Sequence, residues 1–173
     1  MAQAQLSVTT RIRYLIGRGV KEELVAEARE KLAGTRTHEH YRISPGTRFI
    51  FEALDDKENS AKTVVDSWLS NRDNLDTIAP GHEVELKAYA AIRISKLPYS
   101  VHLNKGIREE EGFVILIPLE RWSEENGCFF GDTVIQPGQY LCLGGLEPIT
   151  VPASKACGLL IWFFIQIRDQ ATR

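Results

Sequence analysis

From Val84 to Arg168 the chain is a series of short apolar runs broken by turns. They read VELKAYAAIRIS (84–95), FVILIPL (113–119), DTVIQ (132–136), QYLCL (139–143), ITV (149–151) and LLIWFFIQIR (159–168). FVILIPL is apolar on both faces, the pattern of a strand in the middle of a sheet. In the first run Tyr89, Ala91 and Arg93 share one face and Leu86, Ala88, Ala90 and Ile92 the other, because successive strand side chains alternate. SEENG, QPG, GG and VPAS between the runs are turn sequences. Many short strands at regular spacing predict a sandwich or barrel.

Upstream the period is helical. VKEELVAEAREKLA places Val20, Leu24, Ala28 and Leu32 at i, i+4 spacing, with charge opposite and Gly34 as a stop. A strand is expected at TRFIFEAL, after Pro45-Gly46. A second helix, about Lys57 to Ser70, carries Val64, Val65, Trp68 and Leu69. Asn71 to Gly81 reads as a polar connection. Helices first and strands later is the α+β pattern.

The chain has 173 residues, 43% of them hydrophobic and 25% charged. That is the composition of a globular protein long enough to build a core without disulfides. A net charge of −2 gives no basic footprint, so no nucleic-acid partner is expected. Three cysteines, Cys128, Cys142 and Cys157, are too few and too odd a set for a disulfide framework. They read as buried or incidental thiols. The N-terminus lacks a long apolar h-region, and GLLIWFFIQI is half the length a membrane-spanning helix needs. No membrane partner and a cytoplasmic location are therefore expected, with a homodimer as a further expectation.

VHLN (101–104), ILIPLE (115–120), VIQPGQYLCL (134–143), GGLEPITV (144–151) and the long last run follow one another in a recognisable order. In that order the chain resembles the double-stranded β-helix, or jelly-roll, superfamily of cupins and iron(II)/2-oxoglutarate oxygenases. The nearest resemblance is to the aspartyl/asparaginyl and prolyl hydroxylase branches. It implies an α+β fold with a double-stranded β-helix core and N-terminal supporting helices. As one domain over 1–173, residues 1–80 would be mainly helical support with one strand, and 81–173 the jelly-roll core.

The resemblance also implies a metal triad of two imidazoles and one carboxylate, with open positions on iron. His102 falls on the first histidine. Asn104 falls on the carboxylate position, and a neutral amide cannot offset the charge of Fe²⁺. The distal histidine would fall near Glu147-Pro148, where there is none. If a metal binds, His102 and Glu147 are its expected ligands. The 2-oxoglutarate carboxylate would meet a late basic residue; Arg168 and Arg93 are the candidates. Three other histidines remain. His38 and His40 read as a solvated loop, although a His-x-His pair on a strand can share a metal. His82, after Pro80-Gly81, reads as a turn residue.

The function expected is a small-molecule enzyme on an oxygenase-like jelly roll that has lost the standard iron triad. Metal-independent isomerase, cyclase or lyase chemistry suits the residues, with no cofactor. His102 is the general acid/base, since its unperturbed pKa lies near working pH. Asn104 and Tyr99 hold a substrate oxygen, and Glu147 orients the imidazole. Tyr89, Arg93, Trp122, Trp162 and Gln166 are the further candidate substrate-binding residues. The alternatives are a non-catalytic ligand-binding or regulatory module, and a non-haem oxygenase using Fe(II) and 2-oxoglutarate through unusual ligands.

Overall fold

In the computed structural model, residues 14–41, 51–94, 101–102, 112–123, 125, 134–143, 150–151 and 158–168 are described. In chain order the elements are β1 (Tyr14–Gly17), α1 (Glu22–Ala33), β2 (Thr37–Tyr41), β3 (Phe51–Leu54), α2 (Ser60–Ser70) and α3 (Arg72–Ile78). There follow β4 (Glu83–Ile94), β5 (Val101–His102), β6 (Gly112–Pro118), β7 (Tyr140–Leu143), β8 (Thr150–Val151) and β9 (Gly158–Arg168). Seven strands form one sheet in the order β1-β7-β6-β9-β4-β3-β2, and β5 pairs with β8 in a second sheet. Every pairing is antiparallel.

The large sheet sorts its side chains between two apolar clusters. On one face Phe113, Ile115, Ile117, Tyr140, Cys142, Leu159, Ile161, Phe163 and Ile165 meet Val25, Ala28 and Leu32 of α1 and Val64, Val65 and Trp68 of α2. Trp68 sits edge-on to Tyr140 and Phe163, each with ring centroids 5.2 Å apart. Burying an aromatic of this size contributes about 3 kcal/mol. On the other face Ile92, Ile94, Val114, Leu116, Leu141, Leu143 and Leu160 pack with Trp122 and Ile135. Both faces of β6 are covered, so FVILIPL is buried throughout.

Three local features depart from the reading of the chain. Residues 72–78 are helical, not a connection: the Asn71 side chain caps the start by accepting from the Asp73 N–H at 3.1 Å. Buried Asn74 donates to the Trp68 carbonyl at 3.1 Å, tying α3 to α2. THEHY is strand β2, paired with β3 through Tyr41↔Phe51 and His40↔Glu52, not a loop; its partner lies ten residues away and carries the apolar signal. YLIG, given no element in the reading of the chain, is strand β1 on β7; Gly17 pairs with Tyr140, and a Cβ at Gly17 would collide with the Tyr140 ring. The start of α2 is capped from outside the helix. Asp56 accepts from the N–H groups of Ser60 and Ala61 at 2.8 and 2.7 Å, satisfying donors that a helix start leaves open.

Candidate functional site

The helices cover one face of the large sheet, which leaves the other for a ligand. On β9 the two faces separate cleanly. Leu159, Ile161, Phe163 and Ile165 point to the helices. Leu160, Trp162 and Phe164 belong to the second cluster, and period two puts Gln166 and Arg168 in the same row. Trp162, Phe164 and Gln166 are half-buried. The row expected to line a cavity therefore stands on the face away from the helices.

β5 carries His102. Its register with β8 is Val101↔Val151 and His102↔Thr150. Asn104 is two residues beyond His102, and Glu147 is three residues before Thr150. Asn104, Glu147 and Tyr99 lie outside the described residues, as do the side chains of His102, His38 and His40.

Other expected ligand residues are committed elsewhere. Arg93 lies on the helix side of β4. Its guanidinium donates to the carbonyls of Ala33 at 2.9 Å, Leu32 at 3.2 Å and Thr35 at 3.4 Å. It closes the C-terminal end of α1, where carbonyls lack intrahelical partners. It does not line the face that carries Trp162. Tyr89 pairs with helix-facing Phe163 and is 40% exposed. Trp122, a candidate substrate-binding residue, is in the core at 0% exposure, where its backbone exchanges hydrogen bonds with Ile135 at 2.9 and 3.0 Å. The arginine's destination was hidden in the sequence because only the packing of α1 creates its acceptors.

His82 donates from Nδ1 to the Pro80 carbonyl at 2.9 Å, a turn contact at the start of β4; the segment carrying His102 leaves from the other end of that strand. Cys142 is buried, and burial pushes its thiol pKa well up, so it is no nucleophile at neutral pH. Cys128 and Cys157 lie outside the described residues. Arg168 is engaged by Glu85, with Nε at 3.0 Å and Nη2 at 2.9 Å from one carboxylate oxygen.

Among the described residues no three His, Cys, Asp or Glu side chains gather to hold a metal. By chemistry, the residues at the expected triad positions do not fit a two-histidine, one-carboxylate iron centre. They offer one imidazole, one neutral amide and, at position 147, one glutamate.

No family model and no curated protein matches the chain. Solved structures do. The chain is similar to EvdMO1, with a TM-score of 0.58 at 10% identity, over 95% of this chain and 50% of that one. It thus spans half the length of EvdMO1. It is similar to AviO1 from Streptomyces viridochromogenes, with a TM-score of 0.55 at 12% identity over 96% of both chains. The collagen prolyl hydroxylase of Paramecium bursaria Chlorella virus-1, solved as a 2OG complex, matches with a TM-score of 0.53 at 13% identity, over 94% of this chain and all of that one. At such identities the likeness establishes the fold. This chain has the α+β, double-stranded β-helix fold seen in the prolyl hydroxylases.

Proposed function

We propose that the protein is a small-molecule enzyme on an oxygenase-like jelly roll, with His102 moving the proton and no iron triad. The observation that carries this is the His102↔Thr150 register of β5 and β8. It pairs the strand that precedes Asn104 with the strand that follows Glu147 in the chain, which supports a reading in which the three groups of complementary chemistry act together. An imidazole can take a proton from a carbon or hydroxyl and return it elsewhere on the same substrate. An amide holds a substrate oxygen through its N–H groups. A carboxylate next to the ring fixes its tautomer and favours the imidazolium. Isomerisation, cyclisation and elimination need only these steps. Asn104 in the carboxylate position supports a reaction that does not run through iron.

The test is consumption of compounds from a small-molecule library by purified protein with EDTA present. Turnover is expected to persist in EDTA, and His102→Ala is expected to lower it by about 10²–10⁴-fold, the range of a general acid/base. Asn104→Ala should do less, because orientation is lost but not proton transfer. EDTA-sensitive turnover that requires 2-oxoglutarate would overturn this reading. That outcome belongs to a second reading, an oxygenase holding Fe(II) through His102 and Glu147, which the fold shared with a hydroxylase solved as a 2OG complex favours.

A further inference from the structure

The row of β9 that faces away from the helices grades from core to rim. Leu160 is buried, Trp162, Phe164 and Gln166 are half-buried, and Arg168 is exposed. Its neighbours on β4 are small where β9 is large: Ala90 pairs with Trp162 and Ala88 with Phe164. On the β6 side, Gln166 faces Gly112. Two aromatic side chains beside two methyl groups make a step in the sheet surface, with the rings as wall and the alanines as floor. Ala88 is exposed and Ala90 half-buried, so the floor is open.

The polar groups along this step differ in how far they are already engaged. Glu85 accepts from Arg168 Nε and Nη2 at 3.0 and 2.9 Å, and Lys87 Nζ stands 2.8 Å from the same oxygen. These two cations hold the Glu85 carboxyl below the usual carboxylate range, Lys87 the more strongly. The charges of Glu85, Lys87 and Arg168 are thus spent on one another, and Glu83, opposite Arg168, adds a second carboxylate to the two cations. The Trp162 indole N–H and the Gln166 carboxamide have no hydrogen-bond partner among the described residues. Both are neutral.

We propose that this step binds a planar, largely apolar small molecule whose polar group is uncharged, a hydroxyl, carbonyl or amide. Its flat body lies over Ala88 and Ala90 against Trp162 and Phe164, and its polar group meets the Gln166 carboxamide. Aromatic walls with a few placed polar groups are the usual makeup of such sites. The assignment rests on the proposed small-molecule enzyme, with its ligand on the face of the sheet away from the helices.

The probe is 2-naphthol, titrated into the full chain and followed by calorimetry and by the indole N–H resonances. Trp68 and Trp122 are fully buried, so only the Trp162 resonance should move. Ala88→Leu and Ala90→Leu fill the step and should weaken binding by about two- to tenfold, as expected for loss of an aromatic contact. Ala88 is exposed, so its variant keeps the test valid if Ala90→Leu misfolds. 2-Naphthoate should bind more weakly than 2-naphthol. Failure of 2-naphthol to bind, an unmoved Trp162 resonance, undiminished binding to both folded leucine variants, or tighter binding of 2-naphthoate would each overturn the proposal. Naphthol binding that His102→Ala leaves intact, with turnover also intact, would sink the acid/base reading and leave this site standing.

Discussion

The Arg93 guanidinium donates to the Ala33 carbonyl at 2.9 Å, so a strand in the large sheet holds the C-terminal end of α1. The contact is worth more than its surface location suggests, because a cation meets the negative end of the helix dipole as well as open carbonyls.

Arg93→Ala should therefore cost about 2 kcal/mol of stability, the scale of a lost charged hydrogen bond. Arg93→Lys should recover part of it, since an ammonium cannot span the same carbonyls as a planar fork. Thermal unfolding measures the loss. Binding of 2-naphthol to the folded variant should be unchanged, because Arg93 lies on the other face of β4.

Gly112 pairs with Gln166 at the start of β6 with φ +151°, and an added Cβ would strike the Ile165 carbonyl of β9. Backbone cannot swing aside as a side chain can. Gly112→Ala should destabilise by about 3 kcal/mol, the upper range for a strained backbone position. Gly34→Ala is the control: nothing stands within 4 Å of its Cβ, and it should change stability by less than about 0.5 kcal/mol. Urea unfolding of the two variants separates these outcomes.

Tyr140 and Cys142 make the protein sensitive to alkali. Burial, with the Cys142 charge adding to it, raises the Tyr140 pKa from 10.0 to about 12; burial also pushes the Cys142 thiol well above its ordinary 9.0. Both folded-state values exceed the unfolded ones, so the folded state keeps protons that the unfolded chain releases. Their stabilisation is complete below about pH 9 and declines as pH rises through the folded-state values. Unfolding followed by circular dichroism should begin above pH 9, and Tyr140 should ionise last in a tyrosinate absorbance titration. Tyr140→Phe should shift the alkaline midpoint upward. A Tyr140 that ionises near pH 10, the ordinary value of a phenol, would contradict this.

How much of this was legible beforehand differs element by element. FVILIPL and LLIWFFIQIR declared themselves because a short unbroken apolar run between turn sequences is the mark of a strand covered on both faces. The helical spacing of Ala28 and Leu32 did the same for α1, and the order of the runs from VHLN to the last strand carried the jelly-roll fold. What the chain alone did not decide was which face met what. The bulge between Leu86 and Ala88 puts Leu86 with the helix-side cluster, where strict alternation would have set it beside Ala88. Arg93 became a helix anchor and Trp122 a core residue only because α1 and Ile135 were brought against them. THEHY has no strand pattern of its own and acquired one from β3. The sequence by itself determined the helices α1 and α2, the strands β4, β6, β7 and β9 and their order, since propensity and period act within a few residues. The tertiary structure decided the partners, since hydrogen-bond acceptors and buried faces exist only once distant segments are packed together.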